Sequence, residues 1–198
     1  MAPYIICIDG NIAAGKSTIL NELIRRGYAV YREEVRDWMW VLDRCYSDSK
    51  RWAFTLQIAA LNSLASQKKI IDKLTDPIIF VERCPISTIV FTNTWRAQGC
   101  LTDEEFCLIQ KSYDLLSWTP NLIIMITSDV ETCFKRMNSR GRPCEKSLSI
   151  NHLNEVHNQY EKLYADRKDV LLFDSNDDTV TILADKIEQI LKDVTNKL

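Results

Sequence analysis

The chain has 198 residues, with 25 Lys and Arg against 27 Asp and Glu and a net charge of −2, which excludes the strongly basic footprint of a nucleic-acid-binding protein. Its 46% hydrophobic and 26% charged residues are ordinary for a soluble globular protein, and the length suits one domain, 1–198, with a sizeable core. No apolar run approaches the ~20 residues of a membrane helix, and a chain that enters a strand almost at once is expected to carry no signal peptide.

The first element is an apolar run, 4–9 (YIICID), fit for a buried strand. It leads into Gly10-Asn11-Ile12-Ala13-Ala14-Gly15-Lys16-Ser17-Thr18, a full match to the phosphate-loop pattern G-x-x-x-x-G-K-[ST]. Residues 19–24 then show helical spacing, so the motif has its required context of strand, glycine loop and helix. Backbone N–H groups of such a loop form an anion cradle at a helix N-terminus. Lys16 is placed to reach the terminal phosphates of a nucleotide, and the Ser17 hydroxyl to ligate Mg²⁺. The chain has only five glycines, and two stand at the required spacing.

A second strand, 28–33 (YAVYRE), ends in a polar run that includes Glu33, Arg36 and Trp38. A long helical stretch covers about 50 to 73. A third strand, 78–82 (IIFVE), ends in Glu82-Arg83. Acids and bases at the tips of apolar strands are costly to bury and are natural neighbours of a triphosphate and Mg²⁺. Glu33 is therefore the candidate proton acceptor, Glu82 the candidate Mg²⁺ partner, and Arg83 the candidate holder of a substrate oxygen. Thr102-Asp103-Glu104-Glu105 reads as a capping box that starts another helix. The fourth strand, 121–127, is followed by Lys135, Arg136, Arg140, Arg142 and Glu145, with Gly141 and Pro143 breaking the helix. A mobile lid of about 136–147 that brings arginines onto phosphate oxygens is the expectation. The fifth strand, 169–174, precedes Asn176-Asp177-Asp178.

Five strands alternating with helices predict a doubly wound, parallel α/β sheet flanked by helices, with ligands beyond the strands' carboxyl ends. The seven cysteines are odd in number and lack C-x-x-C spacing, which fits a reducing, cytoplasmic setting and a role as small buried hydrophobes. His152 and His157 have no cysteine pair near them, so no zinc site is expected, and both read as helix-surface residues.

Taken together, the segments resemble the deoxynucleoside kinase family, the group that includes thymidine kinase of the herpesviral and mitochondrial kind and the multisubstrate insect enzyme. The phosphate loop carries the likeness first. Glu33-Glu34-Val35-Arg36-Asp37-Trp38 resembles the family's Glu-Pro-Val-x-x-Trp, with Glu34 in place of the proline. Tyr46 and Gln57 keep the family's spacing of eleven. Glu82-Arg83-Cys84-Pro85 resembles its Asp/Glu-Arg-Ser or Asp-Arg-His-Pro, and Arg136, Arg140, Arg142 and Glu145 resemble its lid. The resemblance implies a P-loop kinase fold and phosphoryl transfer from ATP, with Mg²⁺, to a deoxynucleoside 5′-hydroxyl. It implies Glu33 as general base, with Arg83 beside it. It places Tyr46 and Glu145 on the 3′-hydroxyl, Gln57 on the base, Trp38 as a wall of the base pocket, and the segment Asn176-Asp177-Asp178 near the donor's adenine. The family's base-stacking aromatic falls at Thr92, with Phe91 beside it. Its specificity positions fall on Ala60, Leu64 and Thr88, without the arginine and aspartate that members preferring deoxycytidine carry at the latter two. Thymidine is therefore the expected substrate. A homodimer built on long helices is also implied.

A thymidylate-type monophosphate kinase shares the fold, loop and arginine lid and is the alternative. Glu33 at the acceptor end argues against it, because a carboxylate would repel a phosphate and suits a neutral hydroxyl. A guanine-reading N-K-x-D segment is missing, which disfavours a GTPase switch.

Overall fold

The structure is a computed structural model that describes residues 2–33 and 35–195; Glu34 lies outside the described residues. Five parallel strands form one sheet in the order β2-β3-β1-β4-β5. They are β1 (Tyr4–Gly10), β2 (Ala29–Tyr31), β3 (Ile78–Glu82), β4 (Leu122–Thr127) and β5 (Val170–Asp174). The helices are α1 (Lys16–Arg25), α2 (Met39–Ser47), α3 (Ser49–Ile71), α4 (Pro85–Ala97), α5 (Asp103–Leu116), α6 (Val130–Arg140), α7 (Ile150–Tyr164) and α8 (Val180–Thr195). Two 3₁₀ segments, Val35–Trp38 and Pro143–Ser147, complete the order. The doubly wound sheet is as expected. The second strand is shorter than its apolar run suggests, and Arg32 and Glu33 lie beyond it.

Period-two alternation explains why the strands are apolar throughout. Ile6 and Ile8 of β1 pack with Phe80, Ile124 and Ile126 against α1, α6 and α8. Ile5 and Cys7 face the other way, with Ile79, Val81, Ile123 and Met125 against α4 and α7. Both faces are covered, so neither can be polar. A third cluster, with Trp38, Val41, Cys45, Leu56 and Trp95, ties α2, α3 and α4 into a wall beyond the sheet.

Register sets what stands at the carboxyl edge. Ile8 pairs with Glu82 and Gly10 with Ile126, which puts the phosphate loop, Glu82 and Arg83 on one rim. The strand order reverses between β1 and β3, where such folds open a crevice. The capping box at Thr102 forms as the sequence indicates, with Thr102 and Glu105 exchanging side-chain and backbone bonds. Five of the seven cysteines are buried, Cys144 is partly buried and Cys107 is exposed. His152 departs from the surface placement expected of it. It is buried against Trp95, ring centroids 4.6 Å apart, and burial pulls its pKa down to about 4. His157 is partly exposed on the same helix and lies 3.3 Å from Glu161. No helix among the described residues is long and apolar enough to cross a membrane.

Candidate functional site

The site starts where β1 ends. Gly10 has φ 138, and a Cβ there would meet the Ile126 carbonyl oxygen at 2.3 Å. Only glycine lets the loop leave between β1 and β4 so closely. Gly15 then opens α1 in the left-handed region, φ 108, and no side chain caps that helix. Lys16 turns back over the loop and is 6% exposed. Its Nζ donates to the carbonyls of Gly10 at 3.0 Å and Asn11 at 2.7 Å. Burial, and then the nearby charge of Arg83, lower its pKa to about 8. An ammonium so placed lacks a full counter-charge, and a phosphate would supply one. Asn11 anchors the loop from outside, donating Nδ2–H to the Leu153 carbonyl of α7 at 2.9 Å. Ser17 Oγ donates to Glu82 Oε1 at 3.0 Å. A hydroxyl and a carboxylate side by side are hard oxygen donors of the kind Mg²⁺ takes together with substrate phosphates. Among the described residues no cluster of three or more His, Cys, Asp or Glu offers an all-protein metal cage.

Across from Lys16 stand Glu33 and Arg83. Arg83 Nε lies 3.4 Å from Glu33 Oε2. Burial raises the Glu33 carboxyl to about 7; the positive charge of Arg83 opposes the shift without cancelling it. Arg83 itself is buried at φ 63, a backbone state costing non-glycine residues about 1–3 kcal/mol. The aromatic face of Phe91 sits 4.8 Å from its guanidinium carbon.

These groups rim a cavity of about 1060 Å³. At one end are Ile12, Ala13, Gly15, Lys16, Ser17 and Thr18. At the other, the first 3₁₀ segment supplies Trp38, and α2, α3 and α4 supply Tyr46, Gln57, Ala60, Leu64 and Thr88. Gln57 is 2% exposed and lines the cavity. Phe91 lines the cavity, whereas Thr92 is fully buried behind it; this decides which of the two can meet a ligand. Trp38 Nε1, Thr88 Oγ1 and Trp95 Nε1 are buried without a hydrogen-bond partner among the described residues and belong to residues of this wall. Among the described residues, seven Lys and Arg line the cavity against four Asp and Glu, so this lining is cationic and suits an anionic ligand.

The third side is the segment after β4. Arg136 lines the cavity and donates to Ser175 Oγ at 3.1 Å and the Ser175 carbonyl at 3.0 Å. Gly141, φ 65, ends α6, and Pro143 starts the 3₁₀ turn. Arg140 grips both oxygens of Glu145, at 2.7 and 2.8 Å, and Arg142 lies 3.5 Å away. Ser147 Oγ donates to the Tyr46 carbonyl at 2.9 Å, tying this segment to α2. Asn176 and Asp177 do not reach the cavity. Asn176 Oδ1 instead accepts from Ser128 Oγ at 2.9 Å, and Asp177 is exposed. The neighbours that line the cavity are Ser175 and Asp178.

Sequence reasoning passed over Trp95 and Leu56 in the wall and a buried group centred on Asp9. For Asp9 a signal existed, because it is an acid ending an apolar strand, as Glu82 is. Its partners Tyr160 and Tyr164 carry no such signal.

Residues 6–198 match the family model described as deoxynucleoside kinase. A protein of Invertebrate iridescent virus 3, described as a kinase, is 32% identical over 174 residues, 87% of this chain and 89% of that one. The deoxyguanosine kinase of Bacillus subtilis is 30% identical over 165 residues, 81% of this chain and 77% of that one. Among solved structures, deoxyadenosine kinase from M. mycoides with the products dCMP and dCDP superposes with a TM-score of 0.87 at 22% identity, covering 96% and 99% of the two chains.

Proposed function

The chain belongs to the deoxynucleoside kinase family, and from that premise we propose that it moves the γ-phosphoryl group of ATP onto the 5′-hydroxyl of thymidine, with deoxycytidine as a weaker substrate. Glu33 carries this reading. It is a partly buried carboxylate beside Arg83, in the cavity that the phosphate loop also lines. The loop and Lys16 hold the donor's phosphates. Ser17 and Glu82 would hold Mg²⁺, which would supply positive charge to offset that of the phosphates. Glu33 accepts the proton of the 5′-hydroxyl as that oxygen attacks in line, and Arg83 keeps the carboxylate aimed. Arg136, Arg140 and Arg142 neutralise the equatorial oxygens; Arg140 and Arg142 exchange part of their pairing with Glu145 for phosphate as residues 136–147 close. Tyr46 and Glu145 receive the 3′-hydroxyl. Most of the rate comes from positioning and charge, as phosphoryl transfer requires.

Base choice has to rest on this chain's own pocket, because the relatives above include a deoxyguanosine kinase and a deoxyadenosine kinase. The Gln57 amide offers one donor side and one acceptor, which suits the edge of a pyrimidine. Trp38 and Phe91 enclose the ring. Leu64 and Thr88 provide no charged pair for a cytosine amino group, and Ala60 leaves room for a 5-methyl. A methyl in an apolar pocket gives about a 10-fold or greater preference. Measuring kcat/KM for the four deoxynucleosides, with thymidine monophosphate beside them, tests both parts. Thymidine is expected to lead. A purine preference overturns the base assignment, and a faster reaction with the monophosphate overturns the acceptor assignment.

The protein acts as a homodimer in this reading. Leu108 and Leu115, 51% and 83% exposed and two helical turns apart on α5, give it an apolar face for a second copy. Sedimentation velocity at micromolar concentration is expected to give a mass near twice 23.0 kDa, and a monomer there overturns the dimer. The seven thiols favour a reducing, cytoplasmic setting.

A further inference from the structure

Behind Arg83 lies a polar centre that the transfer chemistry does not itself use. Asp9 is fully buried at the end of β1, and five donors converge on its carboxylate. Oδ1 accepts from the Gly10 amide at 2.8 Å, Arg83 Nη1 at 3.1 Å and the Tyr160 hydroxyl at 2.7 Å. Oδ2 accepts from the Ser87 and Tyr164 hydroxyls, both at 2.7 Å. The Tyr160 hydroxyl also accepts from Arg83 Nη1, at 2.6 Å. Its one hydrogen goes to Asp9, and its lone pair faces the guanidinium. It therefore bridges the two charges with a fixed polarity.

We propose that Tyr160 is a positioning residue for the transfer reaction: through its hydroxyl, α7 fixes the Arg83 guanidinium against Asp9, so that Nε stays turned toward Glu33. The inference rests on the reading of Glu33 and Arg83 given above. Three restraints set the guanidinium plane. Nη1 is held by Asp9 and Tyr160, one face is covered by Phe91, and Nε lies toward Glu33. Charge balance alone would need Asp9 but not Tyr160. What the phenol adds is direction, and direction is what a base waiting for a hydroxyl proton needs. The disfavoured backbone at Arg83 points the same way, since a strained residue persists only where its surroundings over-determine it.

Tyr164 is an internal control. It stands one turn later on the same helix and bonds the same carboxylate, but no bond joins it to Arg83. Tyr160→Phe and Tyr164→Phe each remove one buried hydrogen bond to Asp9, so both are expected to lower Tm by a few degrees. Only Tyr160→Phe is expected to lower kcat, by about 10-fold or more, with KM for ATP within twofold of wild type because the phosphate loop is untouched. Equal kcat in the two variants, or a Tyr160→Phe enzyme within twofold of wild type, overturns the proposal. A measurement on the wild-type chain covers the case in which Tyr160→Phe does not fold. With ¹⁵N-arginine labelling, and Arg83 assigned through Arg83→Lys, the two Nη nitrogens of Arg83 are expected to resonate separately because their exchange is hindered. A single averaged signal overturns the restraint. Failure of the function reading looks different, because Glu33→Gln would then retain turnover while the Nη nitrogens stayed resolved.

Discussion

Glu33→Gln is expected to lower kcat by two powers of ten or more, with thymidine and ATP still bound. The amide keeps the shape and the place beside Arg83 Nε, 3.4 Å away in the native protein, but it cannot take a proton. The pH dependence should change with it. Burial holds the native carboxyl near 7, and only its ionised form can act as base. The wild-type kcat/KM should therefore rise with pH through about 7 and fall away below it, and the Gln variant should lose that acid limb. Stability separates this from unfolding. A carboxyl whose folded-state pKa is raised binds its proton more tightly folded than unfolded, so its ionisation weakens the fold as pH climbs from the usual 4.5 toward 7. Gln does not ionise, so at pH 8 the variant should melt no lower than wild type. Turnover within tenfold of wild type would mean that another group takes the proton.

Gly10→Ala should damage the fold itself. The added Cβ would lie 2.3 Å from the Ile126 carbonyl oxygen, which belongs to a central strand and not to a flexible side chain. Either β1 and β4 part or the loop moves off Lys16. Overpacking and the φ of 138 together put the cost at about 3 kcal/mol or more, roughly 6–12 °C in Tm for a chain of this length. Gly27→Ala is the comparison. Gly27 also has positive φ, 91, but nothing lies within 4 Å of the Cβ position, so it isolates the backbone contribution. Equal melting shifts for the two variants would show that the contact with Ile126 is not what limits this position.

The phosphate loop and the Glu82-Arg83 pair were legible because each is contiguous. An apolar strand must be buried, so a charge at its end must sit at a rim, and the parallel sheet gathers the rims on one side. The capping box at Thr102 and the break at Gly141 were legible for the same local reason. His152 was misjudged because a lone histidine in a polar stretch looks solvated; only the packing of α7 on α4 turns it onto Trp95. Asn176-Asp177-Asp178 was singled out by its place after the fifth strand; turn geometry sends Asp178 and the preceding Ser175 to the cavity, while Asn176 pairs with Ser128. Phe91 and Thr92 could not be separated by counting from Arg83, because a helix of 3.6 residues per turn points adjacent side chains about 100° apart and the crossing of α4 decides which one faces in.

The amino-acid order alone determined the fold class and the glycine loop between the first strand and helix, because strand periodicity and glycine spacing are local properties of the chain. Only the tertiary structure decided what aims the side chains of the site. Asp9, Arg83, Ser87, Tyr160 and Tyr164 come from one strand, one loop and two helices up to 155 positions apart, and they meet only when α7 packs across the sheet. No spacing rule records such a meeting, because hydrogen-bond direction and burial are fixed by packed surfaces and not by distance along the backbone.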